Sequence, residues 1–414
     1  MSASAPPALS VPALSSANRI LIAMIFILGP VATDMYLPAF PMLEHDLGHG
    51  AGSAQLTLTS WLAGLAIGQF TLGPFCDRFG RKSPLLLGLA VYSIASGMLA
   101  VTTNFHMFCF LRFVAGLGGA ATSVAPRAMV RDVATGSEGA KLMSQLMLIF
   151  GLGPILAPTI GGFLLELGNW RLIFWAGLGF GGFLMLWSWF LLPDTLAPEK
   201  RFALPFSGIL QRYVSLVREP LFLSAAMVAS FGTFTMFTYL SNAPALFEGI
   251  LGFSPRAFAI FFGLNAGGFI LGTQVNARLI RRHAFTRVME LGMIGGLVAA
   301  VLCLIVSATG LASPSSPWVL CVLIWCVTFS LGFIGPNAGV LAMTHHGHQA
   351  GSAAALMGTL NWTVGGAAGV LMAVLPAHWI GSTAVGMVLG VLGCWLSDLW
   401  RRRLDPESYL SVSR

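Results

Sequence analysis

Residues 73–82 read GPFCDRFGRK and join two apolar runs that begin near Leu56 and Pro84. Each run is long enough to supply the roughly 20 apolar residues with which a helix crosses a bilayer. The turn between them holds one acidic and three basic side chains, Asp77, Arg78, Arg81 and Lys82. Two apolar runs around a basic turn are typical of a membrane hairpin whose turn lies beside anionic lipid headgroups.

The composition of the whole chain extends this interpretation beyond the hairpin. Charged residues make up 9% of the 414 residues and hydrophobic residues 56%, whereas soluble domains carry about a quarter charged residues. Such a chain has too few charges to cover a surface in water, so the predicted fold class is an all-α integral membrane protein. The net charge of +7 comes from short basic clusters between apolar runs, and we therefore expect no nucleic-acid partner.

Working outward from the hairpin, the same test finds six apolar runs, a polar stretch and six more runs. They begin near Ile20, Leu56, Pro84, Met107, Leu142 and Leu172, and then near Pro220, Ala257, Val288, Trp318, Gly351 and His378. We predict twelve transmembrane helices in two six-helix halves, residues 19–193 and 219–399. Residues 194–218 form a cytoplasmic linker, and residues 1–18 (disordered) and 400–414 are cytoplasmic tails.

The distribution of Lys and Arg predicts the orientation. If the N-terminus is cytoplasmic, 19 of the 22 Lys and Arg residues fall in cytoplasmic segments. Arg171 and Arg256 fall on the opposite side, and Arg112 lies within a span. Because basic residues favour the cytoplasmic side, we expect both termini inside, in a multi-pass protein of the bacterial inner membrane. We expect the protein to be a monomer.

The hairpin turn has a weaker counterpart in the second half, which suggests an internal repeat. Gly73, Asp77 and Arg78 are spaced as Gly272, Asn276 and Arg278 are, and further basic residues follow in both places. Two related halves suit a transporter that alternates around a site at the middle of the membrane.

The hairpin turn itself is a candidate conformational latch. Gly73 permits a close approach of helices, and Gly80 permits a turn with positive φ. Asp77 is able to accept hydrogen bonds from helix N-termini or arginines of the other half. We predict that Gly73, Asp77, Arg78, Gly80 and Arg81 hold one half against the other in a single transport state; the alternative is a simple orientation signal.

An arginine and an aspartate lie inside apolar runs, Arg112 in LRFVAGLG (111–118) and Asp34 in TDMYLP (33–38). An arginine in a span costs about 2.5–3.5 kcal/mol on insertion scales, so it should face a partner or a cavity. Asp34 lies six residues before Phe40, and Arg112 six residues after His106. At 1.5 Å per residue, both lie roughly 9 Å below the outer face. We expect them to pair, although Arg112 snorkelling to the outer interface stays open.

A pair of this kind suits proton coupling. Burial disfavours the charged form of a carboxyl group, and a nearby guanidinium favours it. We expect Asp34 to take up a proton when the site faces outward, to loosen from Arg112, and to release the proton inside. Glu219, Glu248 and Glu290 fall at span ends or in loops, so the coupling charge is concentrated in the first half. Protons are then the coupling ion, and no cofactor is expected.

The fifth span, GLGPILAPTIGG at residues 151–162, is rich in residues that bend helices and let them pack closely. We predict a hinge formed by Gly153, Pro154, Pro158, Gly161 and Gly162. The alternative is a bent helix that serves packing alone.

These segments resemble the motifs of the major facilitator superfamily. GPFCDRFGRK resembles the signature between its second and third helices, LRFVAGLG its arginine–glycine motif, and GLGPILAPTIGG the motif of its antiporters. DMYLPAFP (34–41), RAMVRD (127–132) and IGPNA (334–338) resemble the bicyclomycin and chloramphenicol resistance family of drug:proton antiporters. Cys76 departs from the small residue or serine usual at its position. The resemblance implies twelve helices, proton antiport, export of chloramphenicol, bicyclomycin or sulfonamides, and roles for Asp34 and Arg112 in coupling and recognition.

A cavity for such drugs should be mostly aromatic with few polar groups. The candidate substrate-binding residues are aromatic and amide side chains within the spans, namely Tyr36, Trp61, Tyr239, Asn265, Asn337, Asn361 and Trp362. Each of them has the alternative of ordinary helix packing or interfacial anchoring. We predict no metal site, and interpret His345, His346 and His348 as part of a solvated loop.

Three alternatives remain open. An exporter of an endogenous metabolite (a sugar, nucleoside or amino acid) would share the fold. An integral-membrane lipid enzyme would need a cluster of His, Asp or Glu at one interface, and a ligand-sensing receptor would need a sizeable soluble domain. No nucleophile–base–orienter set and no phosphate-binding loop is evident, so we expect neither an enzyme nor a nucleotide-driven pump.

Overall fold

The computed structural model describes residues 15–50, 52–134, 136–201, 206–311, 316–344, 350–376 and 379–405. Residues 1–14 and 406–414 of the predicted tails, together with His345, His346, His348 and His378, lie outside the described residues. The helices in chain order are α1 Ser16–Asp34, α2 Phe40–Asp46, α3 Ala54–Phe79, α4 Lys82–Val101, α5 Phe105–Gly119, α6 Ala121–Val133, α7 Gly136–Leu167, α8 Arg171–Leu191, α9 Phe206–Val217, α10 Pro220–Pro244, α11 Pro255–Leu279, α12 Phe285–Ala308, α13 Trp318–Met343, α14 Ala350–Val374 and α15 Gly381–Leu404.

Short 3₁₀ and π turns connect some of these helices. Leu37–Ala39 forms a 3₁₀ turn between α1 and α2, and Pro198–Lys200 another before α9. Ala245–Ile250 continues α10 as a π-helical turn. In the described parts of the chain, ten helical segments are long and apolar enough to cross a membrane. They include Ser16–Asp46, Phe105–Val133 and Pro220–Ile250, and α3 and α7 are also 26 and 32 residues long.

The predicted helix starts agree closely with the described helices. Three differences concern the end of the first helix, the linker between the halves and the end of the last helix. α1 ends at Asp34, where the chain turns into Leu37–Ala39 and α2. The predicted linker at 194–218 contains the amphipathic helix α9. The last helix continues to Leu404, five residues into the predicted tail at 400–414.

Glycines bring helices into contact in the same way in both parts of the chain. A methyl group on Gly64 of α3 would overlap the carbonyl oxygen of Phe113 on α5. Likewise, a methyl group on Gly272 of α11 would overlap the carbonyl oxygen of Phe329 on α13. These helices therefore pack backbone to backbone, as small residues allow in lipid, and the shared device is what an internal repeat predicts.

We refer to α1–α8 as the first half and to α10–α15 as the second half. They meet along a surface that we call the seam, where α3 packs against α14, α7 against α11, and α10 against the Leu37–Ala39 turn. Thr59 Oγ1 donates to the Gly366 carbonyl (3.2 Å), and Thr359 Oγ1 donates to the Ala66 carbonyl (3.2 Å). The seam is thus closed along most of α3 in this conformation.

Contacts between helix ends define the two ends of the bundle. At one end, which we call the basic end, Arg81 contacts Asp132, and Arg402 contacts Glu290. At the opposite end, Arg171 contacts Asp46. The sides between the two ends expose large apolar residues such as Ile94 (63%) and Val298 (54%), as expected of a surface that faces lipid.

Candidate functional site

The end of α1 carries a carboxylate into the interior. Asp34 is 2% exposed, and its Oδ1 has no hydrogen-bond partner. Its neighbour Thr33 is held on both sides, because its hydroxyl donates to the Gly29 carbonyl (2.8 Å) and accepts from Trp61 Nε1 (2.9 Å). The hydrogen bonds of Thr33 therefore fix the backbone next to Asp34, while Oδ1 of the Asp34 carboxylate stays without a hydrogen-bond partner.

Arg112 of α5 lies close to the same segment, enclosed by aromatic rings. Its Cζ lies 4.1 Å from the centroid of the Tyr36 ring, 4.7 Å from Trp61 and 6.0 Å from Phe174. Its Nη1 donates to the Ala32 carbonyl at 3.4 Å, and its Nε and Nη2 have no hydrogen-bond partner. Cation–π contacts of a desolvated cation contribute about 2 kcal/mol, so the rings take the place of a counter-ion.

The expected pairing of Asp34 with Arg112 is not formed here. Both side chains approach the end of α1, but no ion pair within 4.0 Å joins them, and Asp34 Oδ1 accepts no hydrogen bond. The snorkelling alternative is also wrong, because Arg112 is 2% exposed. Equal depth was predicted correctly, but it does not determine which way each side chain points around its helix axis.

Tyr239 of α10 is the residue of the second half that belongs to this candidate site. It is 1% exposed, its ring stacks on Phe262 at 5.6 Å, and its hydroxyl has no hydrogen-bond partner. Helix α10 packs against the Leu37–Ala39 turn that follows Asp34. The site therefore combines a carboxylate and a caged guanidinium from the first half with a phenol from the second.

A second group of charges lies at the basic end, around Arg81. The Arg81 guanidinium donates to Asp77 (2.5 Å) and Asp132 (2.8 Å), and its backbone N–H donates to Asp194 (2.9 Å). Burial lowers the pKa of Arg81, but the hydrogen bonds that its guanidinium donates to the Asp132 and Asp77 carboxylates outweigh this effect and raise the pKa. Arg201 also binds Asp194, at 3.1 Å. These contacts tie together α3, α4, α6 and the segment after α8.

Comparison with known proteins decides the family. Residues 22–370 match the sequence profile of the Major Facilitator Superfamily. The chain belongs to the major facilitator superfamily. A facilitator from Bacillus subtilis, described as the uncharacterized MFS-type transporter YdgK, is 33% identical over 90% of this chain and 92% of its own.

Two further relatives of this facilitator carry names that refer to drug resistance. The bicyclomycin resistance protein homolog of Haemophilus influenzae is 30% identical over 84% of this chain and 86% of its own. The chloramphenicol resistance protein of Pseudomonas aeruginosa is 31% identical over 78% of this chain and 72% of its own. The resemblance inferred from the motifs is thereby confirmed.

Solved structures agree with the fold of this facilitator. A D-xylose–proton symporter matches with a TM-score of 0.72 over 92% of this chain and 97% of that chain, at 17% identity. A bacterial homolog of the lysosomal transporter Spinster, in an inward-facing conformation, matches with a TM-score of 0.68 over 95% and 97%, at 15% identity. At these identities, the likeness concerns the fold alone.

Within this facilitator, the predicted latch residues have separate positions. Gly80 has the predicted positive φ, 89°. Arg81 and Asp77 bind within the first half, so their contacts do not cross to the other half as expected. Arg78 lies over the Phe79 ring at 5.3 Å. Of the five, Gly73 faces the second half, since a methyl group on it would lie 3.8 Å from Ala355 Cβ.

The contact across the basic end of the seam comes instead from α9. Tyr213, 3% exposed, donates to the Phe70 carbonyl (3.2 Å), and their ring centroids lie 4.5 Å apart. Tyr213 also packs with Leu356 of α14. Burial raises the pKa of Tyr213 to about 12, and the charge of Asp77 adds to this shift. An isolated tyrosine between the halves gave no sequence signal, but the amphipathic pattern of 206–217 did.

The predicted hinge residues lie in one continuous helix, α7, which contains both Pro154 and Pro158. A methyl group on Gly153 would overlap Pro30 of α1, and one on Gly161 would overlap the Met35 carbonyl oxygen. Gly162 has open space beside it. The glycines thus press α7 against α1 beside Asp34; bending at the prolines stays a prediction.

The predicted substrate-binding residues fall into three groups. Tyr36, Trp61 and Tyr239 surround Arg112 and Asp34, as described above. Asn265 and Asn337 join α11 to α13: Thr328 Oγ1 donates to Asn265 Oδ1 (3.2 Å), and Asn337 Nδ2 donates to Asn276 Oδ1 (2.8 Å). These two amides are occupied by helix packing in this conformation.

The third group lies on α14 and faces α10. Asn361 accepts a hydrogen bond from Ser230 (2.9 Å), and the Trp362 ring lies edge-on to Phe237 with centroids 5.9 Å apart. Among the described residues, no group of His, Cys, Asp and Glu is arranged to hold a metal ion.

A buried charge cluster in the second half was not predicted from the sequence. Asp398 of α15 is fully buried and binds Arg401 (2.9 Å) and Arg402 (2.7 Å), and Arg402 also reaches Glu290 of α12 (3.1 Å). Spacings of three and four residues between Asp398 and the arginines were a visible signal, since they place side chains on one helix face. The cluster lies at the basic end, away from Asp34.

Proposed function

We propose that this transporter is a drug:proton antiporter, which exports small apolar or zwitterionic drugs such as chloramphenicol, bicyclomycin or sulfonamides. In this proposal the chain crosses the bacterial inner membrane twelve times with both termini in the cytoplasm. The ten long apolar helical segments, with α3 and α7 as the other two spans, support the count. The relatives named for bicyclomycin and chloramphenicol resistance support the substrate class.

One observation carries the coupling: a buried carboxylate without an ion-pair partner at the seam. A carboxylate held in a medium of low polarity is expensive when charged. Asp34 has an unpartnered Oδ1, so gain or loss of a proton there changes the stability of this conformation strongly. Asp34 is therefore the group through which a proton acts.

The proposed cycle depends on the protonation state of Asp34. When the site opens to the outside, Asp34 takes up a proton and the drug leaves. The neutral carboxyl group is tolerated in the closed interior, so the halves reorient. When the site opens to the cytoplasm, Asp34 loses the proton and a drug enters among the rings of Tyr36 and Trp61. Asp34, Arg112 and Tyr239 are each at most 2% exposed, so substrate entry requires the seam to open.

The experiment uses purified protein in proteoliposomes with an imposed pH gradient and chloramphenicol, bicyclomycin and a sulfonamide as probes. Drug movement and lumenal pH are recorded together. We expect drug accumulation driven by the gradient, with protons moving the opposite way. Asp34→Asn should abolish accumulation, because the amide takes up no proton in this range.

Glu166→Gln is the matched control, since Glu166 is an exposed carboxylate of the same half, 3.7 Å from Arg256. It should leave accumulation unchanged. Accumulation that persists in Asp34→Asn would remove Asp34 from the coupling. If none of the drugs moves while a sugar, nucleoside or amino acid does, the protein exports a metabolite instead.

A further inference from the structure

Two buried polar atoms from different halves of the chain have no hydrogen-bond partner, Asp34 Oδ1 and the Tyr239 hydroxyl. Buried polar groups are nearly always paired, and each exception calls for an explanation. Both residues lie deep, at 2% and 1% exposure. One atom is an acceptor when ionised and the other is a donor, so the two are chemically complementary.

Asp34 and Tyr239 belong to elements of different halves that meet at the seam. Asp34 is the last residue of α1, and α10 packs against the Leu37–Ala39 turn that follows it. The Tyr239 ring is held by stacking on Phe262, so the direction of the hydroxyl is set by the second half.

The other charged and titratable groups near α1 are engaged elsewhere. Arg112 lies among its rings, and the Tyr36 hydroxyl is 3.2 Å from Thr57 Oγ1. The remaining charged groups on the helices packed against α1 are engaged away from Asp34. Arg127 lies over the Phe26 ring, and Arg131 and Lys141 lie at the basic end. The others form ion pairs, namely Arg171 with Asp46, Glu138 with Arg19, Glu166 with Arg256, and Asp132 with Arg81. Tyr239 is the buried, unpartnered donor that α10 of the second half carries at the seam.

We infer that the Tyr239 hydroxyl donates a hydrogen bond across the seam to the ionised Asp34 carboxylate, and that this bond locks the empty transporter closed. The inference rests on the proposed antiport function. A hydrogen bond to an ionised acceptor is stronger than one to a neutral acceptor. Protonation of Asp34 weakens the bond, and a drug that enters between the two residues replaces it.

This lock supplies what antiport requires. A carrier that reorients when it holds neither proton nor drug lets the drug run down its own gradient without proton movement. The Tyr239–Asp34 bond holds that empty, deprotonated carrier in place. Proton and drug each release the lock, so both loaded forms reorient, and exchange is tightly coupled.

The test is Tyr239→Phe, which keeps the ring on Phe262 and removes the hydroxyl. In proteoliposomes loaded with chloramphenicol at equal alkaline pH on both sides, the wild type should release the drug slowly. We expect Tyr239→Phe to release it about tenfold faster, the factor that corresponds to about 1.4 kcal/mol. Gradient-driven accumulation should fall in the same variant, because the empty carrier now returns without a proton.

Two further variants make the result specific. Tyr92→Phe removes the hydroxyl of another buried tyrosine, on α4 within the first half, and should release the drug at the wild-type rate. Asp34→Asn replaces the ionised acceptor by a neutral amide oxygen, to which a hydrogen bond is weaker. Adding Tyr239→Phe to it should therefore change the release rate little further, as expected when two residues act as one unit. Thermal unfolding of each variant in detergent checks that it is folded.

The outcomes separate this inference from the proposed function. If the wild type accumulates drug and Tyr239→Phe releases it at the wild-type rate, the lock is overturned while antiport stands. Additive effects of Asp34→Asn and Tyr239→Phe on release would also overturn it. If the wild type accumulates none of the drugs, antiport fails and the lock fails with it.

Discussion

At the scale of single residues, Arg112 is stabilised by shape as well as by charge. The planar guanidinium presents a face to the Tyr36 and Trp61 rings, with Cζ 4.1 and 4.7 Å from their centroids. A lysine carries the same charge on a compact, strongly hydrated group that lacks this plane. We expect Arg112→Lys to lower the rate of drug transport about tenfold, corresponding to about 1.4 kcal/mol of lost interaction, as measured in the proteoliposome assay.

Arg78→Lys is the control for this change, because it keeps the positive charge that Arg78 would supply to the predicted latch, and Arg78 lies over one ring, Phe79, at 5.3 Å on the exposed surface. Cation–π contacts at exposed sites contribute little, so transport should stay at the wild-type rate. A wild-type rate in Arg112→Lys as well would mean that the charge alone matters and the aromatic cage does not.

The sequence predicted these residues better than it predicted their partners. Counting residues from the ends of two spans placed Asp34 and Arg112 at the same depth, and both do reach the end of α1. Depth follows from the rise per residue, whereas a contact also depends on the rotation of each helix about its axis. That rotation is set by packing, such as the fit of Gly153 against Pro30, and it directed Arg112 to aromatic rings instead of to Asp34.

At the scale of helices, α9 joins the two halves at the basic end. Its buried residues Tyr213 and Leu216 pack with Phe70 of the first half and Leu356 of the second. Replacing a buried aromatic residue with alanine costs about 3–5 kcal/mol, so Tyr213→Ala should release α9 from the bundle. We expect trypsin to cleave the variant much faster after Arg212 and Arg218, which flank Tyr213, as measured by mass spectrometry of the fragments.

Val214→Ala tests whether this effect depends on the buried face. Val214 is the next residue along α9 and is 40% exposed, so its truncation should leave cleavage at the wild-type rate. Equal cleavage of Tyr213→Ala and the wild type would show that α9 is held by its connections to neighbouring helices and not by the Tyr213 contacts.

The charge clusters at helix ends show where pattern reading succeeds and fails. Arg81 and Asp77 were found because they lie in one short turn, but Asp132 and Asp194, which bind Arg81, are distant in sequence. Asp398 was missed although its arginine partners are three and four residues away. Local partners are readable from spacing on one helix, whereas partners on other helices require the arrangement of the bundle.

At the scale of the whole molecule, the predicted count of spans and the predicted orientation follow from physics that acts along the chain. Bilayer thickness fixes the length of apolar runs, and the basic segments fix their direction. The seam is different, because residues hundreds of positions apart meet there, as Thr59 and Gly366 do. Neither the residues around Thr59 nor those around Gly366 indicate this contact. The closed conformation could therefore not be predicted from the sequence.

The orientation yields a prediction for intact cells. α4 runs for 20 residues from Lys82 at the basic end to Val101, about 30 Å at 1.5 Å per residue, so Thr103 lies at the opposite end from Ser215 of α9. Both side chains are exposed. With the basic end in the cytoplasm, a membrane-impermeant maleimide should label Thr103→Cys on intact cells and Ser215→Cys after lysis alone.

The wild type provides the baseline for labelling, because its six cysteines are buried or half-buried. An even number of spans places the chain ends on one side, so a cysteine appended after Arg414 should behave as Ser215→Cys does. Labelling of Ser215→Cys on intact cells would reverse the orientation. If Ser215→Cys and the appended cysteine are labelled differently, an odd number of spans separates them. That result would contradict the prediction that α10–α15 cross the membrane six times.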